Sequence, residues 1–184
     1  MREIAGAAGV SKAAIYHHFL DKDRLYRVLL EEAVQTLTAA LGRVLDDGPA
    51  PVQLARIVVL HLQFASDHPD LLRMLMQEEL RGGRGRRLGG VIARHREEER
   101  AIFKVLLERG IARGEFKPVD PVLSAQALAA VLHILSAGFL TTTPPVTVAE
   151  VAQNAMDVLL NGLAATPQPL ADIARLLNTK EKTA

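Results

Sequence analysis

The chain has 184 residues, 49% of them hydrophobic and none of them cysteine, which allows one good core with a small appended module and excludes disulfides and thiolate metal sites. Its formal net charge of +1 names no partner, because a nucleic-acid binder advertises itself through local clustering of charge. Arg2, Glu3, Lys12, Asp21, Lys22, Asp23 and Arg24 interrupt any apolar run near the start, so no signal peptide is read there and a cytoplasmic protein is expected.

Ala and Leu recur at helical spacing and almost nothing alternates with period two, so the expected fold is all-α. Helices are predicted over 2–8, 12–18, 22–46, 52–67, 69–80, 88–113, 121–140 and 148–164, with Gly and Pro at the breaks between them. The expected organisation is a headpiece over 1–30, a helical ligand-binding and dimerisation domain over 31–166, and a tail over 167–184 with one short helix near 170–177.

The opening segment carries the most specific pattern. Ile4, Ala5 and Ala8 make one face of a short helix, Gly9 suits a left-handed turn, and Val10 follows as a buried plug. Ser11 supplies an N-cap for a second helix whose Ile15 and Phe19 face inward, with Ala5 small enough to let the two backbones cross closely. This is a helix-turn-helix, and it leaves Lys12, Ala13, Tyr16 and His17 outward, where such a helix meets the major groove and its phosphates.

The run Ile4-Ala5-Gly6-Ala7-Ala8-Gly9-Val10-Ser11-Lys12-Ala13-Ala14-Ile15-Tyr16-His17-His18-Phe19, followed by Asp21-Lys22-Asp23-Arg24-Leu25, closely resembles the DNA-binding signature of the TetR family. The resemblance covers about residues 2–30. It implies that Lys12, Tyr16, His17 and His18, flanked by Ser11 and Ala13, sit at recognition-helix positions, and that Lys22 matches a phosphate-binding lysine at a helix start. Ile4, Ala8, Val10, Ile15 and Phe19 then match core positions. His17 and His18 also read as plain exposed turn residues. The resemblance further implies a homodimer that reads a palindromic operator in double-stranded DNA, most commonly as a repressor released by a small-molecule effector.

Family members place another helix of roughly twenty residues ahead of this motif, and here Met1 stands on the motif itself, so an incomplete headpiece with weak DNA binding is expected. The alternative function is a dimeric small-molecule-binding or interaction protein without a DNA role.

The helix predicted over 22–46 would span roughly 37 Å at about 1.5 Å per residue, long enough to join headpiece and main domain as a lever. Downstream, Gly83 and Gly85 fail the dinucleotide fingerprint and read as a loop. His95, Glu97, Glu98 and Glu99 match neither zinc nor di-metal spacing and, beside Arg94, Arg96 and Arg100, read as a solvated, salt-bridged helix face. No catalytic signature is present, and neither enzyme activity, metal nor cofactor is expected.

Phe64, Leu71, Leu72, Met74, Leu75, Met76, Phe103 and Leu106 are bulky or adaptable enough to line a pocket for a small apolar or aromatic effector, although such residues also make ordinary core. His61 and His133 are polar groups on apolar helices, suited either to orient a bound molecule or to serve as hydrogen-bonded core histidines. No charge occurs between Asp120 and Glu150, yet the helix over 121–140 is Ala-rich, carries Ser124, Gln126, His133 and Ser136 and lacks interfacial anchors, so it is read as buried rather than membrane-spanning. With the next helix it is expected to form a dimer interface through Gln126, Ala129, Val148, Val151, Ala152, Ala155, Leu159 and Gly162.

Overall fold

The chain begins with α1 (Arg2–Ala7) and α2 (Lys12–His18), two helices too short to stand alone, held by caps and a small apolar cluster. Gly9 closes α1 with φ at 65°, and the Val10 and Gly9 N–H groups donate to the Ala5 and Gly6 carbonyls at 3.0 and 3.3 Å. This left-handed termination favours glycine because a Cβ there costs energy. Ser11 accepts from Ala14 N–H at 3.0 Å and so starts α2, as its sequence position predicts. Ala5, Ile15 and Leu25 are buried together, with Ile4 and Phe19 against them.

Next comes α3 (Lys22–Gly42), 21 residues long, N-capped by Asp21, which accepts from Arg24 N–H at 2.7 Å. It ends four residues before the expected stop at 46, because the chain turns at Arg43 and Val44 and the Asp46 carboxylate then accepts from Gly48 N–H at 2.7 Å. Its apolar stripe touches three clusters in succession: Leu25 in the headpiece, Leu30 and Val34 against α5, and Leu37 and Leu41 in the main core.

The computed structural model describes residues 2–80, 89–139, 141, 143 and 145–163, so the loop expected at 82–87, the helix expected near 170–177 and the tail over 167–184 lie outside the described residues. The remaining elements are α4 (Ala50–Asp67), α5 (Pro69–Leu80), α6 (Gly89–Ala112), α7 (Pro121–Phe139) and α8 (Val148–Leu163), and no β-strand occurs among the described residues. The fold is all-α, with α4 central: it packs against α3, α6, α7 and α8. The main core gathers Leu54, Ile57, Leu62, Phe103, Leu106, Leu107, Phe116, Met156 and Leu160.

Start signals are met by side chains. Asp120 accepts from Val122 and Leu123 N–H at 2.8 and 2.9 Å to begin α7, and Thr147 with Glu150 forms a reciprocal capping box for α8, at 3.2 and 2.8 Å. Ala50 N–H at the head of α4 donates to Glu115 from the turn after α6, at 2.6 Å. That turn lies close because Gly110 has no side chain: a Cβ there would come within 2.4 Å of the Phe116 ring and 2.9 Å of Ala50. Pro121–Phe139 is long and apolar enough to cross a membrane, with a mean hydropathy of 1.7, and it is not buried all round as expected: Ala125, Leu128, Ala129, Leu132 and Ser136 enter the protein's own core, while Val122, Leu123, Val131 and Ile134 are exposed.

Candidate functional site

Two features stand apart from generic helical packing. The first is the outer face of α2. Ser11, Lys12, Ala13, Tyr16, His17 and His18 are all exposed while Ile15 is buried, and Lys22 at the start of α3 is exposed beside them. Lys12 Nζ lies 5.7 Å from the centre of the Tyr16 ring, and Lys22 Nζ lies 5.3 Å from that of Tyr26, so each ammonium is held over an aromatic face. His17 and His18 meet edge to face at 5.3 Å. The N-terminus of α3 adds a partial positive charge beside Lys22. The expected plug Val10 is instead 47% exposed and Ala8 is exposed too: Val10 follows the left-handed turn and points away from the Ala5, Ile15 and Leu25 cluster.

The second is a cavity among α3, α4, α5, α6 and α7. Of the residues expected to line a pocket, His61, Phe64, Leu72, Leu75, Met76 and His133 do so, together with Val34, Leu37, Ala65, Ile92, His95, Arg96 and Ser136. Leu71 and Met74 pack instead toward α3 and α6, where Leu30, Val34 and Ile92 meet, and line a separate groove with Tyr26 and Leu29. Phe103 and Leu106 are fully buried in the main core, on the face of α6 that packs toward α4 and α7.

The floor of the cavity overturns the reading of the helix near 95–99 as a solvated face. His95 and Glu99 are buried, whereas Arg94, Glu97 and Glu98 are exposed and Arg100 pairs with Glu97. The physical reason is register: Ile92, His95, Glu99, Phe103 and Leu106 follow the three-and-four spacing of one helix face, and that face turns inward. His61 from α4 and His133 from α7 complete the group. Their ring centres lie 5.7 Å apart, and that of His95 lies 6.3 and 6.4 Å from them. His133 Nε2 approaches Glu99 Oε2 to 2.9 Å, and His61 Nδ1 approaches Glu99 Oε1 to 3.3 Å. His133 so supports Glu99 Oε2, whereas Glu99 Oε1 and His61 Nδ1 form no aligned hydrogen bond with each other.

Charge follows from burial. Burial pushes the His61 imidazole down to about 4 and lowers that of His95, with the Glu99 carboxylate opposing both shifts. For Glu99 burial acts to raise the pKa, but the hydrogen bond with His133, and the attraction that His61 and His95 exert when protonated, outweigh it and hold the carboxyl below its usual range. At neutral pH a Glu99 carboxylate therefore lies behind the lining histidines, against neutral His61 and His95.

On the outer side of α7 and α8, the residues expected at a dimer interface divide. Ala129, Ala152 and Ala155 are buried within the subunit's own core, Val148, Val151 and Leu159 are half-buried, and Gln126 and Gly162 are exposed. The exposed apolar surface on these helices comes from Val122, Leu123, Val131, Ile134 and Val158.

Comparison with known families matches residues 1–29 to the bacterial regulatory proteins of the tetR family and residues 47–163 to the tetracyclin repressor-like C-terminal domain. Among curated relatives, the nucleoid occlusion factor SlmA of Photobacterium profundum is 33% identical over 128 residues, 68% of this chain, and the chain spans 65% of that relative's length. Among solved structures, the TetR-family transcriptional regulator PfmR of Thermus thermophilus superposes with a TM-score of 0.72 at 26% identity, over 87% of this chain and 86% of that one. The transcriptional regulator FadR of Bacillus subtilis, in complex with stearoyl-CoA, superposes with a TM-score of 0.70 at 22% identity, over 86% of each chain.

Proposed function

The chain belongs to the tetR family of bacterial regulatory proteins, and from that premise we propose that it is a cytoplasmic, homodimeric transcriptional repressor released from a palindromic operator by a small, largely apolar or aromatic effector. The observation that carries the reading is the joining of two dissimilar faces by one helix. α3 begins beside the exposed Lys12, Tyr16, His17 and Lys22 surface and continues through Val34 and Leu37 into the wall of the cavity. In this reading Lys12 and Lys22 meet phosphates, Tyr16, His17 and His18 face base edges or backbone, and Ser11 and Ala13 complete the contact surface. Two copies of α2 read half-sites about 34 to 36 Å apart, and effector bound in the cavity shifts the population toward a spacing that no longer fits. The family is regulatory, and no catalytic role is assigned to any residue.

Likeness to SlmA favours a second reading, in which the DNA-bound chain serves nucleoid occlusion rather than a promoter. The apolar cavity with a polar floor supports the effector-released regulator. Selection from random duplexes by a form with a helix of about twenty residues placed ahead of α1 tests the proposal. It predicts a two-fold symmetric site whose complex is dissociated by a compound that also raises the melting temperature of the free protein. Recovery of no symmetric site would refute it, and a symmetric site that no cavity-binding compound dissociates would favour the second reading.

A further inference from the structure

We propose that His61, His95, Glu99 and His133 form a binding site for one divalent transition-metal ion of the zinc class. Each of the four residues offers one ligand atom, and these atoms lie within 4.8 Å of one another. Four ligands at about 2.0 to 2.1 Å from a tetrahedral zinc ion stand about 3.4 Å apart, so small side-chain rotations close the set. Three imidazole nitrogens and one carboxylate oxygen suit zinc, cobalt and nickel rather than magnesium or calcium, which take oxygen ligands.

The polar atoms of the cluster fit an ion better than they fit one another. His61 Nδ1 and Glu99 Oε1 are buried without an aligned hydrogen-bond partner among the described residues although they lie 3.3 Å apart, and Glu99 Oε2 has His133 Nε2 at 2.9 Å. Buried polar groups left in this state are costly, and lone pairs that converge on a point between the side chains are what a bound cation satisfies.

A second observation lies behind the ligands. Thr38 on α3 donates its hydroxyl proton to the Val34 carbonyl at 2.9 Å, so at 2.8 Å from His95 Nδ1 it accepts that ring's N–H. With its hydroxyl proton on the Val34 carbonyl, Thr38 favours the His95 tautomer that carries the lone pair on Nε2, the nitrogen left to take a metal. A partner that holds the far nitrogen of a histidine in this way is the usual outer support of a metal ligand. Through Thr38 the site also touches the helix that reaches the DNA-binding motif. Any effect of the ion on DNA rests on the function proposed above, whereas metal binding does not.

The test uses the full chain, stripped with a chelator, dialysed, and titrated with Zn²⁺ and separately with Co²⁺ in the absence of DNA. One equivalent per chain is expected, with a higher melting temperature on Zn²⁺ and the intense visible bands of four-coordinate cobalt. Thr38→Val, which keeps the shape of the side chain, is expected to weaken Co²⁺ binding by about 10- to 100-fold with helicity unchanged. Glu99→Gln is expected to weaken it at least as much. No uptake by the wild-type chain would overturn the proposal, as would binding of equal strength in Glu99→Gln, which would locate the ion elsewhere. If Glu99→Gln does not fold, the wild-type cobalt spectrum and Thr38→Val still decide: a weak six-coordinate spectrum or undiminished binding in Thr38→Val refutes the site. Because DNA is absent, failure here leaves the regulator reading standing, and failure of that reading leaves this result intact.

Discussion

His61 is held neutral at a pH where the same side chain in an unfolded protein takes up a proton, and this sets a pH dependence. Its pKa falls from 6.5 to about 4 on folding, so the unfolded state binds more protons between those values. Stability from this group is fully present above pH 6.5 and disappears as pH falls toward 4, amounting to on the order of 3 kcal/mol. Glu99, also lowered by folding, acts in the same direction at still lower pH. In the presence of a chelator, urea unfolding is expected to show stability falling between pH 6.5 and 5 in the wild-type chain and falling less in His61→Gln. Equal slopes in the two proteins would contradict the burial argument. The cluster of His61, His95, Glu99 and His133 is not legible in the sequence, because its members come from three helices whose packing no local spacing encodes. Half of it leaves a trace: His95 and Glu99 share a register with Ile92 and Phe103, while the neighbouring Arg94, Glu97 and Glu98 mark the opposite, solvated face.

At the scale of elements, local chemistry writes most of what can be read. Ser11, Gly9 at φ 65° and the spacing of Ala5, Ile15 and Phe19 define the helix-turn-helix through interactions close in sequence. The burial of Phe103 and Leu106 is not legible, because which apolar residues line a cavity and which fill the core depends on helix rotation. Gly110 is silent for the same reason: its importance lies in the approach of Phe116 and Ala50 after the chain has turned. Adding a methyl group there overpacks a well-filled junction, so Gly110→Ala is expected to destabilise the chain by about 1 to 3 kcal/mol despite its better helix propensity. Denaturant unfolding checks this, and a stabilised variant would mean that Phe116 moves aside freely.

At the scale of the whole molecule, the exposed Val131, Ile134 and Val158 leave an apolar surface on α7 and α8 that a second copy would cover in the proposed homodimer. The sequence points to the same two helices, but through small residues such as Ala152, which serve the subunit's own core. Sedimentation is expected to show a dimer that Val158→Glu converts to monomer with its helicity kept, because Val158 is 73% exposed and its replacement leaves the core intact. A dimer unaffected by that change would move the interface to another face. The central claim, that the α2 face and the start of α3 bind DNA, is tested most directly by measuring affinity for a selected duplex against salt in a form with a helix of about twenty residues placed ahead of α1, and in its Lys22→Ala variant. The account predicts a linear fall of log affinity with log salt, and a slope shallower by about 0.9 per subunit in the variant, since without the Lys22 ammonium one phosphate per subunit keeps its counterion. Salt-independent binding, or an unchanged slope in Lys22→Ala, would contradict it.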